Sequence, residues 1–573
     1  MTDVRIEFDV PAEMRDGVVL RADVFRPAGA GPWPVLLVRT PYSKQDPGIL
    51  ATLNPLAAVR RGYLVVVQDT RGRYGSEGEW EPLRHEQADG YDTVRWAAAL
   101  PGANGLVGMY GPSYLGNAQW MAAAGKPPEL KAIAPAFTWS EPFDGLFGRG
   151  GAIELGLGAN WSLQQGANLI SRRFHDAPDE RHRRLVALVA ELDGLDTGAY
   201  WELPAAAFPA FARHQVPDLG YQRALADPDV VAACRVTDKY DQIDLPTLNI
   251  GGWYDVFIQG TLDNFRAMSD TGRPAQLIVG PWSHRSQGGH QQGELNFGLA
   301  ANERSLDLRS TLGELQLDWF DRWLKPAADQ SAAQRRSAPQ APVRIFLTGV
   351  NRWRDEPAWP LARAVDTPMY LGTGGRLHVE PPAPDEEPDT FRYDPADPVR
   401  THGGQILMAT EYPPGPFDQE RVERRPDVLV YTGEPLTDDL EVTGRVRMRL
   451  VAASSAPGTD WVARLCDVDP AGVSRNLADG IVRVTGEPGQ PAEHEIDLWS
   501  IGHVFRRGHR LRVQVTSSNF PRWDRNPNTE SVDGTDSTFA DQTVHHDAAR
   551  PSRIILPVVP AGEPVLDGTG SRD

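Results

Sequence analysis

The first 135 residues alternate short runs of apolar, β-branched residues with stretches whose apolar positions recur at helical spacing. Residues 63–68 form one such run, and residues 90–99 form a helical stretch that follows it. A strand that is buried on both faces gives a continuous apolar run, and the helix that joins two parallel strands gives the second pattern. The alternation predicts βαβ units and a mainly parallel sheet, which is an α/β fold.

The pattern changes over residues 137–240, where the strand signals vanish. Residues 179–192 within this stretch place apolar and charged side chains at the spacing of an amphipathic helix. The sheet pattern resumes at Asp241 and includes a predicted helix over 310–324. We therefore predict a discontinuous α/β domain, formed by residues 1–136 and 241–360, into which residues 137–240 are inserted as a helical cap.

The last third of the chain has the period-two pattern of strands. Gly, Pro, Asn and Asp clusters separate four such runs, over 442–450, 461–467, 480–485 and 511–517. This even spacing predicts a β-sandwich over 361–573, although spacing alone does not distinguish a jelly roll from an immunoglobulin-like sandwich. A stretch rich in Gln, Ala, Arg and Pro precedes this part, and it predicts an exposed connector over 325–342.

Composition narrows the functional classes. The chain has 573 residues and a formal net charge of −19, which argues against nucleic acid as a partner. The first seven residues lack the features of a signal peptide, and no stretch approaches the length that spans a bilayer, so we predict a cytoplasmic protein without a membrane partner. The two cysteines, Cys234 and Cys466, fall in different predicted domains, which disfavours a disulfide. A homodimer is compatible with the sequence.

Ser113 stands where an apolar strand over 106–110 should turn into a helix. A serine nucleophile presented on a strained turn needs small neighbours on both sides, and Gly111 and Gly116 meet that need. The pattern departs from G-x-S-x-G, because Leu115 takes the place of the second glycine. The motif alone is equally compatible with an ordinary connection between a strand and a helix.

Two more apolar runs end in titratable residues. One leads into Gly-Trp-Tyr-Asp255, and the other leads into Gly-Pro-Trp-Ser-His284. The chain order serine, acid, histidine is that of the α/β-hydrolases. We therefore predict that Ser113 attacks the carbonyl, that His284 transfers its proton, and that Asp255 orients the imidazole. His290 is a rival base, but it lies farther past the predicted strand.

An acyl-transfer site also needs donors for the oxyanion. The backbone N–H of Tyr114, directly after the nucleophile, is one predicted donor. A second donor should follow an early strand, and the strand predicted over 35–39 runs into Thr-Pro-Tyr42. We predict that the phenolic O–H of Tyr42 supplies it.

These four motifs together resemble those of the CocE/NonD hydrolases, the superfamily of cocaine esterase and X-prolyl dipeptidyl peptidases. That family has a tyrosine in R-x-P-Y, a nucleophile in G-x-S-Y-x-G, an acid in G-W-Y-D and a base in G-P-W-S-H, and this chain carries all four in order. The resemblance implies an α/β-hydrolase domain with an inserted helical cap and a C-terminal jelly-roll β-sandwich. It also implies a serine esterase that forms an acyl-enzyme on a small-molecule ester.

The resemblance extends to the acyl pocket of cocaine esterase-like members. The residue two positions past the triad acid corresponds to Phe257, and a cap tryptophan corresponds to Trp161, so an apolar or aromatic acyl group is expected. Both residues could equally be core aromatics. The α-amino-acid ester hydrolases of the superfamily carry acidic residues at the positions of Phe257 and Ile258, which weakens that alternative, and an X-prolyl dipeptidyl peptidase remains another.

A different class stays open, in which the C-terminal sandwich binds carbohydrate and the hydrolase part is inactive. The intact set of Ser113, Asp255, His284 and Tyr42 argues against it. No glycine-rich phosphate loop or dinucleotide fingerprint occurs, so no cofactor is predicted. His545, His546 and Asp547 lack a spaced partner set, and we predict no metal site there.

Overall fold

The computed structural model describes residues 4–326, 341–531 and 534–560, and most of the predicted connector lies outside these ranges. The first two thirds of the chain contain fourteen described strands, four of which have only two residues. In chain order they are β1 (Val4–Glu13), β2 (Val19–Pro27), β3 (Trp33–Thr40), β4 (Leu64–Asp69), β5 (Ala103–Pro112), β6 (Leu130–Ala136), β7 (Gly148–Arg149), β8 (Ala152–Ile153), β9 (Thr247–Tyr254), β10 (Ala275–Ser283), β11 (Gln291–Gln292), β12 (Leu295–Asn296), β13 (Val343–Leu347) and β14 (Arg352–Glu356).

Ten of these strands form one sheet in the order β1-β2-β4-β3-β5-β6-β9-β10-β13-β14. The strands from β4 to β13 are parallel, whereas β1, β2 and β14 are antiparallel to their neighbours. Successive side chains of a strand point to opposite faces, and both faces of this sheet are covered. In β3, Val35 and Leu37 belong to one apolar cluster, and Leu36 and Val38 belong to another.

Helices cover both faces of the sheet and form most of the inserted segment. In chain order they are α1 (Pro47–Thr52), α2 (Pro55–Arg60), α3 (Glu86–Ala98), α4 (Tyr114–Ala124), α5 (Leu155–Arg173), α6 (Pro178–Asp193), α7 (Pro209–His214), α8 (Tyr221–Ala226), α9 (Pro228–Ala232), α10 (Ile258–Asp270) and α11 (Leu312–Leu324). Between β6 and β9 the regular elements of the described chain are helices, except for β7 and β8, which pair with each other. Two-residue strands are too short to leave a periodic signal in the sequence.

The C-terminal part is a separate sheet domain of eleven strands with its own apolar core. The strands are β15 (Val365–Gly372), β16 (Arg376–His378), β17 (Asp389–Tyr393), β18 (Leu429–Thr432), β19 (Leu440–Ser454), β20 (Gly458–Val468), β21 (Ser474–Thr485), β22 (Ala492–Phe505), β23 (Arg510–Thr516), β24 (Ala540–His545) and β25 (Arg553–Val559), and one short helix, α12 (Glu420–Glu423), lies between β17 and β18. Almost all strand pairs are antiparallel, and the exception is β16 with β18.

The two parts of the chain share buried contacts. Trp253 and Phe346 of the first sheet lie in one apolar cluster with Trp499 and Val504 of the second. The buried carboxylate of Glu154, at the start of α5, accepts hydrogen bonds from the C-terminal domain: Nε of Arg522 lies at 3.2 Å and Nε1 of Trp523 at 2.6 Å. Burial raises the pKa of Glu154, and the Arg522 guanidinium opposes that shift. The first turn of α5 is therefore fixed by the C-terminal sheet domain.

Within the described ranges, no helix combines the length and the apolar character that a membrane crossing requires.

Candidate active site

Ser113 occupies the turn between β5 and α4 with φ of 61° and ψ of −125°, a backbone conformation that L residues rarely adopt. The neighbouring glycines make this turn sterically possible. Gly111 has φ of +129°, and a Cβ on Gly116 would lie 2.8 Å from Cβ of Thr138. A residue held in such a region costs about 1–3 kcal/mol, which the surrounding packing has to offset. The turn presents the Ser113 side chain at the carboxyl end of the parallel strands.

His284 and Asp255 meet at the same end of the sheet, after β10 and β9. Nδ1 of His284 lies 2.6 Å from Oδ1 of Asp255, and the carboxylate is completely buried. The rings of Phe257 and Phe137 contact the imidazole edge-on, with centroid distances of 5.3 Å and 6.4 Å. A buried carboxylate on Nδ1 leaves Nε2 as the nitrogen that can accept a proton.

Tyr42, in the loop after β3, completes the polar face around the serine. Its phenol oxygen accepts a hydrogen bond from Nε1 of Trp161 at 2.9 Å, and the phenol and Ser113 line the same cavity. Burial raises the pKa of Tyr42 to about 12, although the neighbouring Trp161 and Ser113 oppose the shift. The phenol therefore keeps its proton at any pH at which the enzyme would work, and it can act as a donor.

The backbone N–H of Tyr114 is the second candidate donor. Tyr114 is the first residue of α4, and an N–H in the first turn of a helix has no acceptor within that helix. The side chain of Tyr114 points elsewhere: its hydroxyl donates to Oε1 of Glu86 at 2.8 Å, and it accepts the N–H of Leu83 at 3.1 Å. The N–H of Tyr114 thus lies next to the serine at the end of α4 that carries a partial positive charge.

A cavity of about 560 Å³ joins these groups, and Ser113, His284, Tyr42 and Trp161 all line it. This volume suits a drug-sized ligand. Its apolar wall is formed by Ile49, Leu115, Phe137, Ile250, Leu312 and Leu407.

The structure places Trp161 and Phe257 differently. Trp161, within α5, lines the cavity. Phe257 is 2 % exposed and lies outside the cavity, behind the imidazole and against Trp139 at a centroid distance of 5.1 Å. Its position just before α10 turns the ring towards the core. In this structure the ring of Phe257 therefore contacts His284, and its assignment to the acyl pocket stays a prediction.

Several residues that line the cavity were not identified from the sequence. Glu303 lies in a short 3₁₀ turn, and Leu407 lies in an irregular segment of the C-terminal part. Arg285 directly follows His284, and its guanidinium donates to the carbonyl of Met408. Burial raises the pKa of Glu303 and lowers the pKa of Arg285. Only the adjacency of Arg285 to the predicted base was a usable sequence signal.

The other candidates lie away from this cavity. His290 forms a 3.0 Å hydrogen bond with Nδ2 of Asn302 and does not line the cavity. Among the described residues, no group of three or more His, Cys, Asp and Glu side chains is arranged to hold a metal ion. His546 is buried between two carboxylates, 3.0 Å from Asp389 and 3.4 Å from Glu386.

Comparison with known proteins shows the family to which the chain belongs. Residues 16–286 match the model of the X-Pro dipeptidyl-peptidase (S15 family), and residues 337–555 match the X-Pro dipeptidyl-peptidase C-terminal non-catalytic domain. Cocaine esterase from Rhodococcus sp. (strain MB1 Bresler) is 38% identical over 579 residues, which cover 96% of this chain and 98% of the relative.

Solved structures extend the comparison to the fold. An α-amino acid ester hydrolase superposes with a TM-score of 0.76 at 26% identity and covers 97% of each chain. An aminopeptidase from a marine sediment Thaumarchaeota archaeon has a TM-score of 0.78 at 24% identity, covering 98% of this chain and 97% of that one, and it supports the fold alone. The sequence match to cocaine esterase over nearly the whole chain shows that this protein belongs to the CocE/NonD family and is a serine hydrolase that acts on esters.

Proposed function

We propose that the enzyme hydrolyses small carboxylic esters with an apolar or aromatic acyl group, through an acyl-enzyme on Ser113. The observation that carries the proposal is the contact of His284 with the buried Asp255, at 2.6 Å, beside a cavity that both His284 and Ser113 line. Nε2 of His284 takes the Ser113 proton during attack and returns it to the leaving alcohol. Water, activated by His284 in the same way, then attacks the acyl-enzyme, which releases the carboxylic acid and frees Ser113.

The oxyanion of each tetrahedral intermediate would lie between the phenol of Tyr42 and the backbone N–H of Tyr114. Two preorganised donors in a site with little water stabilise a developing negative charge more than the same donors do in water. We propose these roles within an α/β-hydrolase sheet that carries a helical cap over 137–240 and a jelly roll as its C-terminal domain. The parallel strands of the first sheet support this fold assignment.

The apolar wall of the cavity supports the choice of acyl group. Six large apolar side chains line it in addition to Trp161, and burying an apolar acyl group against them is favourable by about 25 cal/mol per Å². Leu407 comes from the C-terminal part, so that part contributes to the wall. The proposed wall of the acyl pocket does not include Phe257, which does not line the cavity.

The test compares initial rates on matched benzoate and acetate aryl esters, phenylglycine methyl ester and an alanyl-prolyl anilide. We expect the simple esters to be preferred, and the benzoate to have the lower KM. Preference for the phenylglycine ester or the anilide would contradict the proposed substrate class. The Ser113→Ala variant, measured in parallel, identifies any background hydrolysis.

Glu303 gives one specific reason to keep a substrate with an ammonium group as the second candidate. Of the two carboxylates that line the cavity, Asp46 accepts the backbone N–H groups of Gly48 and Ile49, whereas Glu303 has its pKa raised by burial. An ionised Glu303 would attract a protonated amine, and this attraction would appear as pH rises through its raised pKa.

We therefore expect Glu303→Gln to raise KM for a cationic ester about threefold to tenfold, the size of one half-exposed ion pair of about 1 kcal/mol. KM for a neutral ester of matched size should stay within about twofold, because the amide keeps the shape of the side chain. The measurement is KM for both esters from pH 5 to 8. Equal changes in KM for both esters would show that Glu303 does not interact with the charge of the substrate.

Tyr42→Phe should lower kcat by about 10²-fold to 10³-fold, because one oxyanion donor is lost while the ring remains. Labelling by a fluorophosphonate should slow by a similar factor, since its phosphoryl oxygen uses the same donors. An unchanged kcat would place the oxyanion elsewhere. Tyr74→Phe, at an exposed tyrosine outside the cavity, is the matched control and should retain the parental rate.

A further inference from the structure

The hydrogen bond between Trp161 and Tyr42 restricts where the tyrosine proton can point. An indole N–H is only a donor, whereas a phenol oxygen carries one proton and also accepts hydrogen bonds. Because Nε1 of Trp161 approaches the phenol oxygen to 2.9 Å, the Tyr42 proton has no acceptor on that side. Ser113 lines the same cavity as this phenol and lies close enough to lower its pKa. The proton is therefore directed to the side on which the serine and the substrate carbonyl lie.

The same contact makes the phenol a better donor. A hydroxyl oxygen that accepts a hydrogen bond is polarised and donates more strongly in turn. The contact adds no charge to the site, so Tyr42 stays a neutral donor. Both effects serve a group that has to meet an oxyanion without reorienting during the reaction.

The indole is held in place from several directions. Its ring stacks on Tyr114, with a centroid distance of 6.3 Å and an interplanar angle of 12°. One turn along the same helix face, Gln165 accepts two hydrogen bonds from Arg73, through its side-chain oxygen at 2.9 Å and its carbonyl at 3.2 Å. Arg73 also donates to the carbonyl of Pro41 at 2.8 Å, next to Tyr42. Arg73 thus joins the helix that carries Trp161 to the loop that carries Tyr42.

We propose, resting on the function proposed above, that Trp161 is a positioning residue for the reaction. Its indole N–H orients the Tyr42 hydroxyl towards the oxyanion, and this role is separate from any contact of its ring with the acyl group. A ring that only forms part of the acyl pocket would affect large acyl groups more than small ones. A donor that orients Tyr42 would affect kcat for all acyl groups alike, and only while the Tyr42 hydroxyl is present.

The test is a double-mutant cycle with Trp161→Phe and Tyr42→Phe, measured on an acetate and a benzoate aryl ester. Trp161→Phe removes the N–H and keeps an aromatic ring. We expect it to lower kcat about tenfold on both esters, the value of one lost hydrogen bond to a working donor, with KM for the acetate within about twofold. In the Tyr42→Phe background, the same substitution should change kcat by less than about twofold.

Trp80→Phe is the matched control. Trp80 packs against Trp161 with a centroid distance of 5.7 Å, but its own Nε1 has no hydrogen-bond partner in the described part of the chain. The same substitution there reports on aromatic packing without the hydrogen bond, and kcat should stay within about twofold of the parent.

The outcomes separate the two proposals. Equal losses from Trp161→Phe in both backgrounds, or a loss confined to the benzoate, would overturn the positioning role and leave the esterase mechanism intact. If Tyr42→Phe itself left kcat unchanged, the proposed oxyanion donor would fail together with the role of Trp161. Loss of kcat on both esters that disappears in the Tyr42→Phe background supports the proposal.

Discussion

Ser113→Ala is expected to lower kcat by about 10⁴-fold or more on every ester that the enzyme accepts. The alanine keeps the turn but removes the oxygen that attacks the carbonyl, so no acyl-enzyme forms. The substitution removes one atom from a side chain that makes no cap hydrogen bond to α4. We therefore expect the thermal unfolding temperature to change by only a few degrees, of the size that about 1 kcal/mol produces.

Labelling with a fluorophosphonate checks the same assignment on the protein rather than on the reaction. The parental enzyme should be labelled on Ser113, as peptide mass analysis would show, and Ser113→Ala should not be labelled. Retained turnover in the variant would exclude Ser113 as the nucleophile. A parental protein that is folded but unlabelled would instead favour an inactive hydrolase.

Asp255→Asn is expected to lower kcat by about 10⁴-fold. An asparagine would present either its N–H₂ or its oxygen to Nδ1 of His284. The N–H₂ would require a bare Nδ1 and therefore a proton on Nε2, the nitrogen that has to accept the Ser113 proton. In either orientation the substitution would also remove the negative charge that stabilises the imidazolium, while leaving the shape of the buried site almost unchanged.

His290→Gln provides the control, because His290 is the neighbouring histidine that could replace His284 as the base. Its ring is bonded to Asn302 and does not line the cavity, so kcat should stay within about twofold of the parent. The measurement is kcat for both variants on one acetate aryl ester. A loss below about tenfold in Asp255→Asn, or a large loss in His290→Gln, would require a different acid and base.

The sequence was most informative where a fixed backbone geometry demands particular residues. A turn with positive φ at Ser113 needs close packing on both sides. The sequence positions of Gly111 and Gly116 predicted such a turn without any tertiary information. The ends of β9 and β10 could be read because both strands are continuous apolar runs. Parallel pairing then brings Asp255 and His284 to one edge, as the register of the two strands shows.

The residues that sequence reasoning missed or misplaced depend on contacts between distant segments. An offset of two residues from Asp255 does not tell on which side of the imidazole the ring of Phe257 lies, since the turn before α10 decides that. Trp161 was expected to act through its ring, because its partner Tyr42 is 119 residues away and only the fold brings the two together. Glu303 lies in a single 3₁₀ turn, which is too short to give a periodic pattern in the sequence.

The C-terminal third shows the same limit on a larger scale. Period-two runs predicted strands at positions where the structure has β19, β20, β21 and β23. The order of strands in the sheet, in which β25 lies between β19 and β15, follows from no local pattern. Leu407, which reaches the active-site cavity from this part of the chain, was therefore beyond sequence reasoning.

The contact of Glu154 with Arg522 and Trp523 has a consequence for protein engineering. Glu154 starts the helix that carries Trp161, yet both of its hydrogen-bond donors belong to the C-terminal sheet domain. Trimming the enzyme to its hydrolase part would leave this carboxylate without these partners, and so would a C-terminal domain from a relative that lacks them. The C-terminal domain thus helps to hold the helix that carries Trp161, and a chimaera would have to carry the matching arginine and tryptophan with the new domain.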